Sequence, residues 1–316
     1  MTLSFLIGFT FATSLPSGSR LPAFGALYGG QNQVQRTSDP DQTGSDGETT
    51  EVSQKPVTSR KPNTNGRVMV LMYHHILEGS NAMFRSAKKF RRDLENLRNM
   101  GFRPVSMTEY VTNTMKLPKG ASPVVITFDD AHINQFRYLR DGKTIDPNCA
   151  VGIWLKFSKE HPDFPVKGMW YVLPDLWHQP KLAKKKIDSL VSWGSEIGNH
   201  TLHHNDLKKL SEDQVKEEIA GLSDLLEKHG ITKIHFAPPY GSYPTNRELV
   251  KEFEYKGKTY KLESSVLAGS APYYSPNDKR FDPYQIWRVH GNGREMGIDD
   301  YLAQVRRGKW QPYVAK

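Results

Sequence analysis

After Arg67 the chain alternates apolar runs of strand length with amphipathic runs of helix length, and this alternation restricts the fold more than any other feature. Strands separated by helical crossovers lie parallel, with the helices outside the sheet. Strand-like runs fall at 68–73, 124–128, 169–173, 196–200, 231–236, 262–267 and 285–290. Between them, Phe90, Leu94 and Leu97 share one helix face behind a Ser86 cap, and Gly101 stops that helix. A helix is also expected at 150–157, and another through Ile187, Leu190 and Val191, ended by Gly194. Ser211 and Gln214 form a capping-box pattern ahead of Val215, Ile219, Leu222 and Leu226. Residues 246–253 and 299–307 read as further helices. Some seven such units in about 250 residues predict an α/β fold, a distorted (β/α)7-type barrel rather than an open sheet.

Composition marks three segments. Residues 1–27 begin with an apolar run (Leu3, Phe5, Leu6, Ile7, Phe9, Phe11) that reads as a signal or anchor, although the usual basic start is missing. Residues 28–66 are rich in Gly, Gln, Ser, Thr, Asp, Asn and Pro and nearly lack large apolar residues, the composition of a disordered linker. Residues 67–316 form the expected folded domain. Export to the cell envelope or beyond is therefore expected. The single cysteine, Cys149, excludes an internal disulfide and a cysteine metal cluster. No run of 18 apolar residues offers a conventional transmembrane helix. The first 66 residues hold five basic and five acidic side chains, so the net charge of +9 belongs to the remainder. A basic domain suits an anionic envelope, and no nucleic-acid motif of clustered Arg with interleaved aromatics is present.

The polar residues of interest come directly after strand-like runs. Val124-Val125-Ile126-Thr127-Phe128 leads into Asp129-Asp130. Neighbours on a strand point to opposite faces, so the two carboxylates can hold different jobs, one on a cation and one on a proton. His200 and His204 are four apart, so a helical turn or a tight loop could aim both at one point. Two histidines and one carboxylate make three protein ligands and leave a position open, the pattern of a catalytic metal site. In a parallel barrel, strand ends meet at one face, where Asp129, Asp130, His200, His204, Tyr240 and His290 would be neighbours.

The segments T-F-D-D (127–130), H-T-L-H-H (200–204) and A-P-P-Y-G (237–241) resemble the polysaccharide deacetylases of carbohydrate esterase family 4. The resemblance implies a distorted (β/α) barrel that removes acetyl groups, most often N-acetyl, from an acetylated polysaccharide. It implies a divalent metal on Asp130, His200 and His204, with zinc first and cobalt, nickel or manganese open. It implies Asp129 as general base, His290 as general acid and the Tyr240 backbone N–H as oxyanion donor. Ala237 stands where the family often has the Arg that orients the base, and Arg288, two residues before His290, is the candidate replacement. Ala131 replaces the usual Gly, and Trp287-Arg288-Val289-His290 replaces the usual Leu-x-His. A non-catalytic sugar-binding barrel is the competing reading. His74, His75 and His132 are expected near the same mouth. Trp154, Trp170, Trp177 and Trp193 are either sugar platforms or core, and Lys184-Lys185-Lys186 reads as a solvated helix face.

Overall fold

The structure, a computed structural model, describes residues 60–269 and 271–316. The expected leader, and all but the end of the expected linker, lie outside the described residues. The described chain already pairs at Asn63, which forms a bridge with Val314, so the ordered part starts before Arg67.

Nine strands form one sheet among the described residues. They are β1 (Met69–Tyr73), β2 (Phe102–Pro104), β3 (Ser122–Phe128), β4 (Met169–Val172), β5 (Glu196–Asn199), β6 (Ile234–Phe236), β7 (Glu252–Tyr255), β8 (Lys258–Ser265) and β9 (Val289–His290). Their order is β7-β8-β6-β5-β4-β3-β1-β9, with β2 alongside β3. All pairs are parallel except β7 with β8. The sheet closes where Val266, just past β8, bridges Ile286, just before β9. There the Leu267 N–H donates to the Ile286 carbonyl at 2.7 Å and the Ile286 N–H to the Ser265 carbonyl at 3.1 Å. Seven parallel staves result: β1, β3, β4, β5, β6, β8 and the 286–290 segment. This is the distorted barrel expected from the alternation.

Side-chain parity divides the core. Met69, Leu71 and Tyr73 of β1 and Val124, Ile126 and Phe128 of β3 pack outward. They meet Phe90, Leu94 and Leu97 of α1 (Ala87–Asn99) and Trp154 and Phe157 of α3 (Ala150–Glu160). Val68, Val70, Val125, Met169, Tyr171, Val266 and Ile286 fill the barrel interior. Helices α2 (Met107–Val111), α4 (Ala183–Ser192), α5 (Glu212–Lys228) and α6 (Ile298–Arg306) complete the order. The Ser211–Gln214 capping box forms as its spacing predicts. Buried Arg85 grips Asp93 of α1 through two bonds, at 2.8 and 2.5 Å, and Asp299 of α6 through two more, at 3.2 and 2.9 Å. The C-terminal tail ties the lower rim. The Tyr313 N–H donates to the Arg67 carbonyl, Val314 to Asn63 and Ala315 to Ala121.

Several expectations are corrected. Residues 246–253 are not a helix: a short 3₁₀ turn (Arg247–Val250) runs into β7, which forms a hairpin with β8. The alternation Glu252-Phe253-Glu254-Tyr255 has period two, and Lys256 and Gly257 take the left-handed conformations of a tight hairpin turn. The run 285–290 is no continuous strand: Val289 and His290 pair with β1, while Ile286 makes a separate bridge to Val266. Lys186 is not solvated: it is fully buried and donates to the carbonyls of Phe136 (2.7 Å) and Trp177 (3.1 Å). Trp154, Trp170 and Trp177 are wholly buried and Trp193 packs on the same core, so they are core rather than sugar platforms.

Candidate metal and catalytic centre

The parity that sorts the core also aims the site. Continuing inward from Val125 and Thr127 gives Asp129; from Val70 and Met72, His74; from Ile286, Arg288 and His290. On β5 the inward position at 198 is Gly, because the Tyr171 ring lies 2.6 Å from where a Cβ would stand. The next inward residue is His200. These side chains converge with Asp130, His204 and Tyr240 around a cavity of about 180 Å³ at the C-terminal ends of the strands.

Asp129 is 2 % exposed and Arg288 1 %. The guanidinium meets the carboxylate with two bonds, Nη1 to Oδ1 at 2.6 Å and Nη2 to Oδ2 at 2.7 Å. It also donates to Thr127 Oγ1 at 3.0 Å and, through Nε, to the Leu267 carbonyl at 3.1 Å. Burial pushes the Asp129 carboxyl up, but Arg288 and then His200 outweigh it and hold the group below the usual carboxylate range. Ala237 is fully buried, and the guanidinium on Asp129 comes instead from Arg288 on the seventh stave. His74 Nε2 stands 3.9 Å from Asp129 Oδ2. Burial drives the His74 ring down to about 4, against the pull of Asp129 and Asp130.

Asp130 leaves the strand with φ 75° and presents Oδ1 to His200 Nε2 at 3.1 Å and His204 Nε2 at 3.3 Å. The two histidines sit in a loop rather than on a helix, with Thr201 and His204 left-handed. Asn199 pins the loop to α5, donating to the Ile219 carbonyl at 2.8 Å and accepting from the Thr201 N–H at 2.7 Å. Glu218 of α5 accepts from the His203 N–H at 2.8 Å and from the Asn205 side chain at 2.7 Å. The middle histidine is thereby turned away from Asp130. Glu218 was missed from the sequence, yet it lies on the buried face set by Val215 and Leu222.

The donor set fits a divalent cation. His200 Nδ1 lies 2.6 Å from the Ala237 carbonyl, which can only accept, so Nδ1 carries the proton. In the neutral ring, Nε2 then offers a lone pair to Asp130. Asp130 Oδ1 is buried and receives no hydrogen bond. A buried carboxylate oxygen facing the His200 lone pair, with a second imidazole nitrogen beside it, is costly unless a cation lies among them. All three ligand atoms fall within 4.8 Å of one another.

Tyr240 follows Pro238-Pro239 with φ 60°. Its ring is 69 % exposed and stands edge-on to His204, with centroids 4.9 Å apart. Gly241 is left-handed, and a Cβ there would lie 2.7 Å from the Ala268 nitrogen, so the turn admits no side chain. A shallower hollow of about 560 Å³ continues past His204 and Tyr240 towards Asp206 and Lys209. His290 opens onto the cavity, and burial, then Arg288, lower its pKa. Five left-handed residues other than glycine (Asp130, Ala131, Thr201, His204, Tyr240) cluster here, as backbone strain does at functional sites.

Residues 116–257 match the family model for polysaccharide deacetylase. YxkH of Bacillus subtilis (strain 168), a provisionally named polysaccharide deacetylase, is 24% identical over 221 residues, covering 68% of this chain and 69% of that protein. The crystal structure of BC0361, a polysaccharide deacetylase from Bacillus cereus, aligns with a TM-score of 0.56 at 19% identity, over 76% of this chain and 69% of that one. The Streptococcus pyogenes deacetylase PplD, in complex with acetate, aligns at 0.54 and 19% identity, over 77% and 98%. The matched segment holds Asp129, Asp130, His200, His204 and Tyr240, while Arg288 and His290 lie beyond it. By matched segment and motifs the chain is similar to polysaccharide deacetylases, and it shares the fold of their solved structures.

Proposed function

We propose that the protein is a metal-dependent deacetylase that hydrolyses acetyl groups, chiefly N-acetyl, on a polysaccharide of the cell envelope or its surroundings. The observation that carries this is Asp130 Oδ1, buried without a donor and facing two histidine nitrogens. Asp130, His200 and His204 would hold a divalent cation, zinc or else cobalt, nickel or manganese. When bound, the cation supplies Lewis acidity that acidifies a water and polarises the acetyl carbonyl. Asp129 takes the proton of the attacking water, and Arg288 keeps that carboxylate ionised and fixed in plane. The backbone N–H of Tyr240 donates to the oxyanion that develops on the acetyl oxygen. His290 delivers a proton to the departing amine. The hollow running past the exposed Tyr240 ring suits an extended sugar chain. The missing Arg at 237 favoured a non-catalytic sugar binder, and the two bonds from Arg288 to Asp129 offset that argument.

The test is acetate release from a panel of acetylated glycans, with metal and with chelator. Release is expected only with metal, and Asp130→Ala is expected to abolish it. An Asp130→Ala protein that still released acetate would refute the metal reading. His290→Ala should lower kcat by about 10²–10⁴-fold. Because burial and Arg288 depress the His290 pKa, kcat/KM should fall as pH rises past a point below the ordinary histidine value. His290→Ala should lose that limb in a pH–rate profile. We also place the protein outside the cytoplasm, and cell fractionation that found it only in the cytosol would reject this.

A further inference from the structure

The two oxygens of Asp130 have different surroundings. Oδ1 faces His200 and His204, whereas Oδ2 lies 3.1 Å from Nε2 of His132. Reaching back to a carboxylate two residues earlier needs a sharply folded backbone. Asp130 (φ 75°) and Ala131 (φ 52°) supply it, both left-handed. Such residues cost about 1–2 kcal/mol each in L-amino acids, so packing around His132 must hold the turn in place. The His132 ring stacks on His75, with centroids 3.7 Å apart and planes at 16°. His75 stacks in turn on Phe84, at 4.5 Å and 16°. Backbone bonds clamp this pair: the His75 N–H donates to the Met83 carbonyl and the Arg85 N–H to the His75 carbonyl, each at 2.9 Å. The Asn134 side chain meets His75 Nδ1 at 3.2 Å. Three parallel rings thus form a shelf from the end of β1 to Asp130.

We propose that His132 is a positioning residue for the metal centre. Its Nε2–H holds Oδ2, so Asp130 offers the ion one oxygen rather than two, and the shelf fixes the ring that does so. This inference rests on the metal reading above. A carboxylate free to turn can take a cation through both oxygens. With Oδ2 engaged, the second oxygen stays off the ion and a coordination position stays open for water. The neutral ring suffices, so no change of protonation is invoked.

The test uses the full chain and four variants, with zinc and cobalt affinities from chelator competition, the visible spectrum of the cobalt form, and melting of the metal-free protein. His132→Phe keeps the stack and removes the donor. It should melt near wild type without metal, bind zinc about 10–100-fold more weakly, and show a weaker cobalt band as the coordination number rises. His132→Gln retains an N–H and should recover part of the affinity. His75→Phe keeps the shelf and should bind as wild type does. A folded His132→Phe with wild-type affinity and cobalt spectrum, alongside an Asp130→Ala that no longer binds, would overturn this inference alone. Wild-type zinc affinity in Asp130→Ala would remove the metal reading itself.

Discussion

Asp129 and Arg288 form a buried ion pair, and burial fixes what each substitution should do. Removing one partner of such a pair leaves an uncompensated charge and typically costs about 3–5 kcal/mol. Arg288→Ala should therefore lower the melting temperature and reduce kcat/KM by about 10²-fold or more, since Asp129 also loses its fixed plane. Arg288→Lys keeps the charge but cannot match both carboxylate oxygens, so stability should largely return while turnover stays depressed. Steady-state kinetics beside thermal melts separate the two. If Arg288→Ala left turnover intact while His290→Ala abolished it, the orienting role would fall. Several of these residues were legible in advance: Asp129, His200, Arg288 and His290 are inward-facing residues at the ends of staves, and the motifs mark the first two. Lys186 was misread as solvated, and Glu218 was missed. Each occupies a buried-face position, 186 between Ala183 and Ile187, and 218 between Val215 and Leu222. Their charge hid what their spacing said.

At the scale of elements, α4 is fastened to the loops after β3 and β4 by that lysine. Its amine has two carbonyl acceptors, and no carboxylate pairs with it among the described residues. A neutral amine has two N–H donors for those acceptors. Burial drives its pKa down to about 7, a shift that Cys149 only partly opposes. The unfolded chain keeps the proton to about 10.4. Between these values the unfolded state binds more protons, so this group adds stability as pH rises from about 7 towards 10. Lys186→Met should flatten that rise in urea melts taken at pH 7 and pH 9.5. It should also lower overall stability by about 1–3 kcal/mol per stranded carbonyl. The helices with caps and regular apolar spacing (α1, α5) were readable. The β7–β8 hairpin was not, because the period-two alternation of 252–255 is only four residues long and is absorbed into the helix expected at 246–253.

Over the whole molecule, the alternation of strands and helices foretold a seven-stave barrel, since parallel crossovers leave few alternatives. It could not foretell how the barrel closes, because the seventh stave is held by one bridge at Ile286 and two residues of β9. Nor could it foretell that the tail returns beneath the lower rim, a long-range contact without local pattern. Deleting residues 312–316 removes the bonds to Arg67, Asn63 and Ala121. The truncated protein should melt lower and exchange its β1 and β3 amides faster, which hydrogen exchange would report. Wild-type protection in those strands would show the tail to be dispensable.

Arg288 spans the thinnest seam of the cylinder. Its Nε reaches the Leu267 carbonyl on one side, and its tip reaches Thr127 and Asp129 across the lumen. One side chain is thus both rivet and rein, so a chain whose last stave has not docked leaves the Asp129 carboxylate without its guanidinium. On the proposed mechanism, molecules whose hoop is not yet shut would release no acetate.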